Sequence, residues 1–96
     1  MEAGIKQSDT RKFTKGLHVL VQDLDGEAVL LNLNNGQYYG LDEVGFRMYQ
    51  LLITSGSLDT TYAALLREYD IDPQQLRSDL QKLLDELLEN GLVLHG

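Results

Sequence analysis

The chain has 96 residues, 43% of them hydrophobic, which suits one folded domain and argues against disorder. It contains no cysteine. That excludes disulfides, thiolate metal sites and a cysteine nucleophile, and it fits a reducing cytoplasm.

The net charge is −7 and unevenly placed. Residues 1–16 hold Lys6, Arg11, Lys12 and Lys15 against Glu2 and Asp9, a local +2, so residues 17–96 carry −9. The first 16 residues are read as a solvated, flexible basic arm, and 17–96 as the folded domain. A domain this acidic repels phosphate backbones, so nucleic acid is not an expected partner. No apolar run approaches the roughly 18–20 residues of a membrane span, and no signal peptide is visible. A membrane is therefore not an expected partner either.

In chain order, Leu17–Leu24 is apolar and partly β-branched and is expected to form a first strand. Asp25-Gly26 is a hairpin turn signal. Glu27–Asn34 alternates through Val29, Leu31 and Leu33 as a second strand, and Gln37–Leu41 forms a third. Three strands with tight turns make an antiparallel meander.

The second turn has two readings. A two-residue loop, Asn35-Gly36, pairs Leu33 with Tyr38. A three-residue loop with Gly36 in a bulge pairs Leu33 with Gln37, Leu31 with Tyr39 and Val29 with Leu41. The second gathers Val29, Leu31, Leu33, Tyr39 and Leu41 on one face and is preferred, because a one-residue slip inverts every side chain. Tyr39 then faces the core and Tyr38 faces out.

The hydrophobic period next becomes helical. Asp42 caps a first helix carrying Val44, Met48, Leu51 and Leu52, which ends at Ser55-Gly56. Ser57 opens a second, with Tyr62, Leu65, Leu66 and Tyr69. Asp72-Pro73-Gln74-Gln75 opens a third with a cap, a proline at the first position and a glutamine placed for a capping box. Leu76, Leu80, Leu83, Leu84, Leu87 and Leu88 form its apolar stripe, and Asn90-Gly91 stops it. Residues 92–94 either return as a short strand or pack as a tail. Strands first and helices after indicate an α+β fold, winged-helix-like, with a three-stranded antiparallel sheet followed by three helices.

The chemistry-bearing residues are sparse. His18 and His95 lack metal-ligand spacing, the glycines form no phosphate loop, and the serines have no neighbouring base. No enzyme, metal or cofactor is expected. An acyl carrier would need Asp-Ser-Leu, whereas Ser78-Asp79-Leu80 has the reverse order. A winged-helix DNA reader would need a basic recognition helix, but the third helix holds Asp72, Asp79, Asp85, Glu86 and Glu89 beside Arg77 and Lys82. Peptide binding remains. The third strand, Gln37-Tyr38-Tyr39-Gly40-Leu41, has no Lys or Pro to guard its edge, and Gly40 allows close backbone approach. Such an edge accepts an added strand.

The run YYGLDEVGFRMYQLL followed by LDTTYAALLREYDIDPQQLRSDLQKLLDELLENGLV resembles the PqqD family of peptide chaperones. The likeness rests on Leu41-Asp42 before the first helix, Tyr49 near its middle, Tyr69-Asp70-Ile71-Asp72 before the third, Asp79 within it, and the Leu87-x-x-x-Gly91-Leu92 ending. It covers roughly residues 17–94, and the order and spacing carry it.

The resemblance implies a non-catalytic recognition element for the leader of a ribosomally made precursor peptide. The leader would add as a strand beside the third strand and lie against the third helix. The strand-rich front looks most like the lasso-peptide branch, whose recognition protein works with a separate leader peptidase and a cyclase. In the pyrroloquinoline quinone branch the precursor goes to a radical enzyme. Carried over by position, the peptide-binding residues are Gln37, Tyr38, Tyr39, Gly40 and Leu41 on the strand and Gln75, Leu76, Asp79, Leu80 and Leu83 on the helix. Leu76, Leu80 and Leu83 would wall a pocket, and Asp79 would meet a leader cation or N–H.

Overall fold

A computed structural model describes residues 11–96. Its elements are β1 (Phe13–Lys15), β2 (Val19–Leu24), β3 (Glu27–Asn32), β4 (Gln37–Leu41), α1 (Glu43–Ser55), α2 (Leu58–Glu68), α3 (Pro73–Glu89) and β5 (Val93–His95). The expected α+β architecture is present: an antiparallel sheet in the order β2-β3-β4, followed by three helices.

Asp25 and Gly26 turn the first hairpin with φ of 62° and 96°. Two consecutive left-handed residues match the twist of the flanking strands. Asp23 steadies the turn by accepting the Gly26 N–H at 3.1 Å. β2 starts later than expected: His18 has φ 59°, so Leu17 lies outside the strand, exposed.

The second hairpin corrects the expected register. The pairs are Asn32 with Gln37, Leu31 with Tyr38, Leu30 with Tyr39 and Ala28 with Leu41. The loop is therefore Leu33–Gly36, one residue longer than the preferred three-residue reading. Ala28, Leu30 and Asn32 face inward, while Leu33 is exposed.

A buried amide decides this. The Asn32 side chain donates to the Asn90 carbonyl at 3.0 Å and accepts the Asn34 N–H at 2.9 Å. Its backbone carbonyl takes the N–H of Gly36, whose φ is 72°. Polar partners across the fold outweighed the alternation of leucines. Tyr39 still faces inward and Tyr38 outward.

Each helix begins on its expected cap. The side chains of Asp42, Ser57 and Asp72 accept the N–H groups of Gly45, Thr60 and Gln75. The capping box is half formed, because the Gln75 side chain donates forward to Asp79. At the end of α3 the Leu92 N–H reaches the Leu87 carbonyl and the Gly91 N–H that of Leu88, with Gly91 at φ 68°. This is a Schellman closure, sealed by two buried leucines.

The core lies between the inner sheet face and the helices. Leu30 and Leu41 meet Phe46, Tyr49 and Leu52 of α1 and Leu76, Leu80, Leu84 and Leu87 of α3. Arg47 joins α1 to α2 through two 2.8 Å bonds to the Glu68 carboxylate.

The expected arm ends sooner than residue 16. Residues 1–10 lie outside the described part, but β1 belongs to the fold. It pairs with β5, the strand alternative for the tail, and buries Phe13 to 1% exposure. Gly16 then passes so near the α3 terminus that a Cβ there would stand 2.1 Å from the Gly91 carbonyl oxygen.

Candidate functional site

β4 is an outer strand of the three-stranded sheet. The other outer strand, β2, carries Asp23, whereas no residue of Gln37–Leu41 is charged. Strand alternation sends Tyr38 and Gly40 to the outer face and Tyr39 and Leu41 to the inner one. Tyr38 is 76% exposed. A Cβ on Gly40 would meet nothing within 4 Å, so the fold itself does not require glycine there.

Beneath this edge opens a cleft of about 500 Å³. β4 supplies Tyr39, Gly40 and Leu41. Asp42 caps α1 directly after the strand, so the first turns of that helix bring Val44, Gly45 and Met48 to the cleft. Ile71, just ahead of the α3 cap, and Asp79 and Leu83 on α3 close the other side. The floor is thus aliphatic, and the rim carries the carboxylates of Asp42 and Asp79.

Tyr39 ties the strand to α3. Its hydroxyl donates to Glu86 Oε1 at 2.6 Å. Burial, then the bond to Glu86 and that carboxylate's charge, push the phenol up to about 12. Asp79, Leu83 and Glu86 recur at helical spacing on the α3 face toward β4. Asp79 also accepts the Gln75 side-chain amide at 2.8 Å.

Of the ten residues expected to bind peptide, Tyr39, Gly40, Leu41, Asp79 and Leu83 come together around the cleft. Gln37 and Tyr38 lie on the same strand, and Gln75 stands behind Asp79. Leu76 and Leu80 are 0% and 1% exposed and sit in the core, away from the cleft. The leucine stripe is wide enough that one edge lines the cleft while its centre is packed. Sequence reasoning missed Asp42, Val44, Gly45 and Met48 as cleft residues, reading Asp42 as a helix cap and Val44 and Met48 only for their helical spacing, and missed Ile71 and Glu86. Val44 and Met48 carried a signal in their i, i+4 spacing on the helix that follows the edge strand.

Neither histidine joins this site. His95 packs 5.5 Å from the Phe13 ring, and His18 occupies the β2 entry turn. Among the described residues no group of three or more His, Asp or Glu could hold a metal ion, and no helix is long and apolar enough to cross a membrane.

The profile of the PqqD family, described as coenzyme PQQ synthesis protein D, matches residues 27–93. The chain belongs to the PqqD family. That match spans both β4 and α3, the two sides of the cleft. A search of curated proteins finds no match. Two solved structures are similar over most of the chain. One, described as "TbiB1 in Complex with the TbiA(beta) Leader Peptide", is 32% identical with a TM-score of 0.77, covering 83% of this chain and 93% of that one. The other, "Lasso peptide synthetase B1 complexed with the leader peptide", is 26% identical with a TM-score of 0.77, covering 86% and 98%.

Proposed function

We propose that this PqqD-family protein is a non-catalytic recognition element of lasso-peptide biosynthesis. It binds the leader of a ribosomally made precursor by strand addition at β4 and presents it to a leader peptidase and a cyclase in the cytoplasm. One observation carries the reading: an uncharged, unguarded sheet edge stands over an aliphatic cleft shared with α1 and α3. Backbone pairing at such an edge supplies affinity, and pockets for alternate side chains supply specificity. Two similar structures that hold leader peptides support it. Their lasso-peptide context favours this branch over delivery to a radical enzyme. The acidic α3 disfavours DNA.

The test is titration of a labelled leader from the precursor encoded beside the gene. Saturable binding at micromolar protein is expected, and its absence rejects the proposal. Tyr38→Pro, which interrupts the edge, abolishes binding, while the exposed α2 change Arg67→Gln does not. Circular dichroism confirms that both variants are folded. Leu83→Gln, which places an amide in the cleft wall, gives a second reading independent of the strand.

A further inference from the structure

The leader reading leaves open what kind of peptide the cleft accepts, and its electrostatics answer that. Asp42 and Asp79 line it, and Glu86 adjoins it through Tyr39. Among the described residues no Lys, Arg or His lines it. Arg77 lies over the Tyr62 ring at 4.2 Å and Arg47 holds Glu68. Lys82 is exposed on α3 outside the lining, three residues after Asp79 and four before Glu86, so it shares their helix surface and offsets part of their charge.

The three carboxylates differ in how far they are committed. Asp42 spends an oxygen on the Gly45 N–H, Asp79 takes one amide from Gln75, and Glu86 takes one phenol hydroxyl at Oε1. A carboxylate has about four lone-pair sites, so Asp79 and Glu86 keep acceptor capacity beside the edge. The floor below them, formed by Leu41, Val44, Met48, Ile71 and Leu83, suits an aliphatic side chain.

Resting on the leader-binding reading, we propose that the segment bound here is cationic: an aliphatic residue seated in the cleft with a lysine or arginine close by in sequence, facing Asp79 and Glu86. The same rim rejects segments with Asp or Glu at those positions, since like charges brought together oppose binding. The same charge disfavours a second copy of the chain at this edge. A copy brings an equally acidic rim, whereas a basic peptide is steered in by the −9 carried by residues 17–96.

The test uses the synthetic leader of the neighbouring precursor and the same peptide with its Lys and Arg replaced by Gln. Both are titrated against the full chain and against Asp79→Asn and Glu86→Gln. Asparagine at 79 keeps an acceptor for Gln75, so the helix face is preserved. The expected result is a loss of about two- to fivefold in affinity for the native leader with Asp79→Asn, as suits an exposed charge pair. The neutral peptide loses affinity too, and the two changes combined cost less than their sum. Affinity for the native leader falls with added salt. If both variants bind the native and neutral peptides with unchanged Kd, the charge proposal is overturned while leader binding stands. If no peptide binds the unaltered chain, the leader reading itself fails.

Discussion

Tyr49 is 1% exposed in the middle of α1, and its hydroxyl is buried without a hydrogen-bond partner among the described residues. An unpaired buried hydroxyl costs its desolvation, so Tyr49→Phe leaves thermal stability unchanged or raises it by up to about 1 kcal/mol. Burial also pushes this phenol up to about 12, and Tyr39 behaves alike. A phenol with a raised folded value stabilises fully below its unfolded value near 10 and loses that contribution as pH rises toward about 12. Stability therefore declines over this alkaline window, and denaturant midpoints measured across it show a shallower decline in Tyr49→Phe. Asn32 is the opposite case, a buried polar side chain whose nitrogen and oxygen are both hydrogen-bonded. Asn32→Ala leaves the Asn90 carbonyl without this donor and frees the loop, at a cost of about 1–3 kcal/mol in denaturant unfolding.

Among the elements, the helices were legible and the second hairpin was only partly so. Asp42, Ser57 and Asp72 mark helix starts because their oxygens satisfy free N–H groups within three residues, a wholly local contract. Gly91 marks the stop just as locally, through its left-handed φ of 68°. The β3–β4 register escaped because it depends on Asn90, 58 residues from Asn32. Counting alternating leucines favoured Leu31 and Leu33, yet Leu30 is the fully buried one. The inward turn of Tyr39 survived the slip because its own strand kept its alternation; only the partner strand changed face. β4 itself was recognisable as an unguarded edge, since the absence of charge is visible residue by residue.

Across the whole molecule, the first and last strands meet. β1 and β5 pair, and Phe13 is buried in the shared core. Four basic residues had made this stretch read as a solvated arm, and a three-residue strand offers too little pattern to overrule composition. Phe13→Ala removes a fully buried ring and lowers stability by about 3–5 kcal/mol, a large part of what a small domain possesses. Chemical denaturation measures it, and a loss below 1 kcal/mol would show that β1 is not integral. The cleft likewise belongs to the whole: strand, both flanking helices and the approach to α3 each contribute a wall.

The sequence by itself determined the α+β order, the helix caps, the unguarded edge and the family likeness, because each rests on local periodicity, short-range hydrogen bonds or spacing along the chain. Tertiary structure decided the register of the hairpin, the role of β1, and which leucines line the cleft. Leu83 opens to it while Leu76 and Leu80 are core, although all three belong to one stripe. How α3 packs against the sheet separates them, and that packing includes contacts such as Tyr39 with Glu86, between residues 47 positions apart.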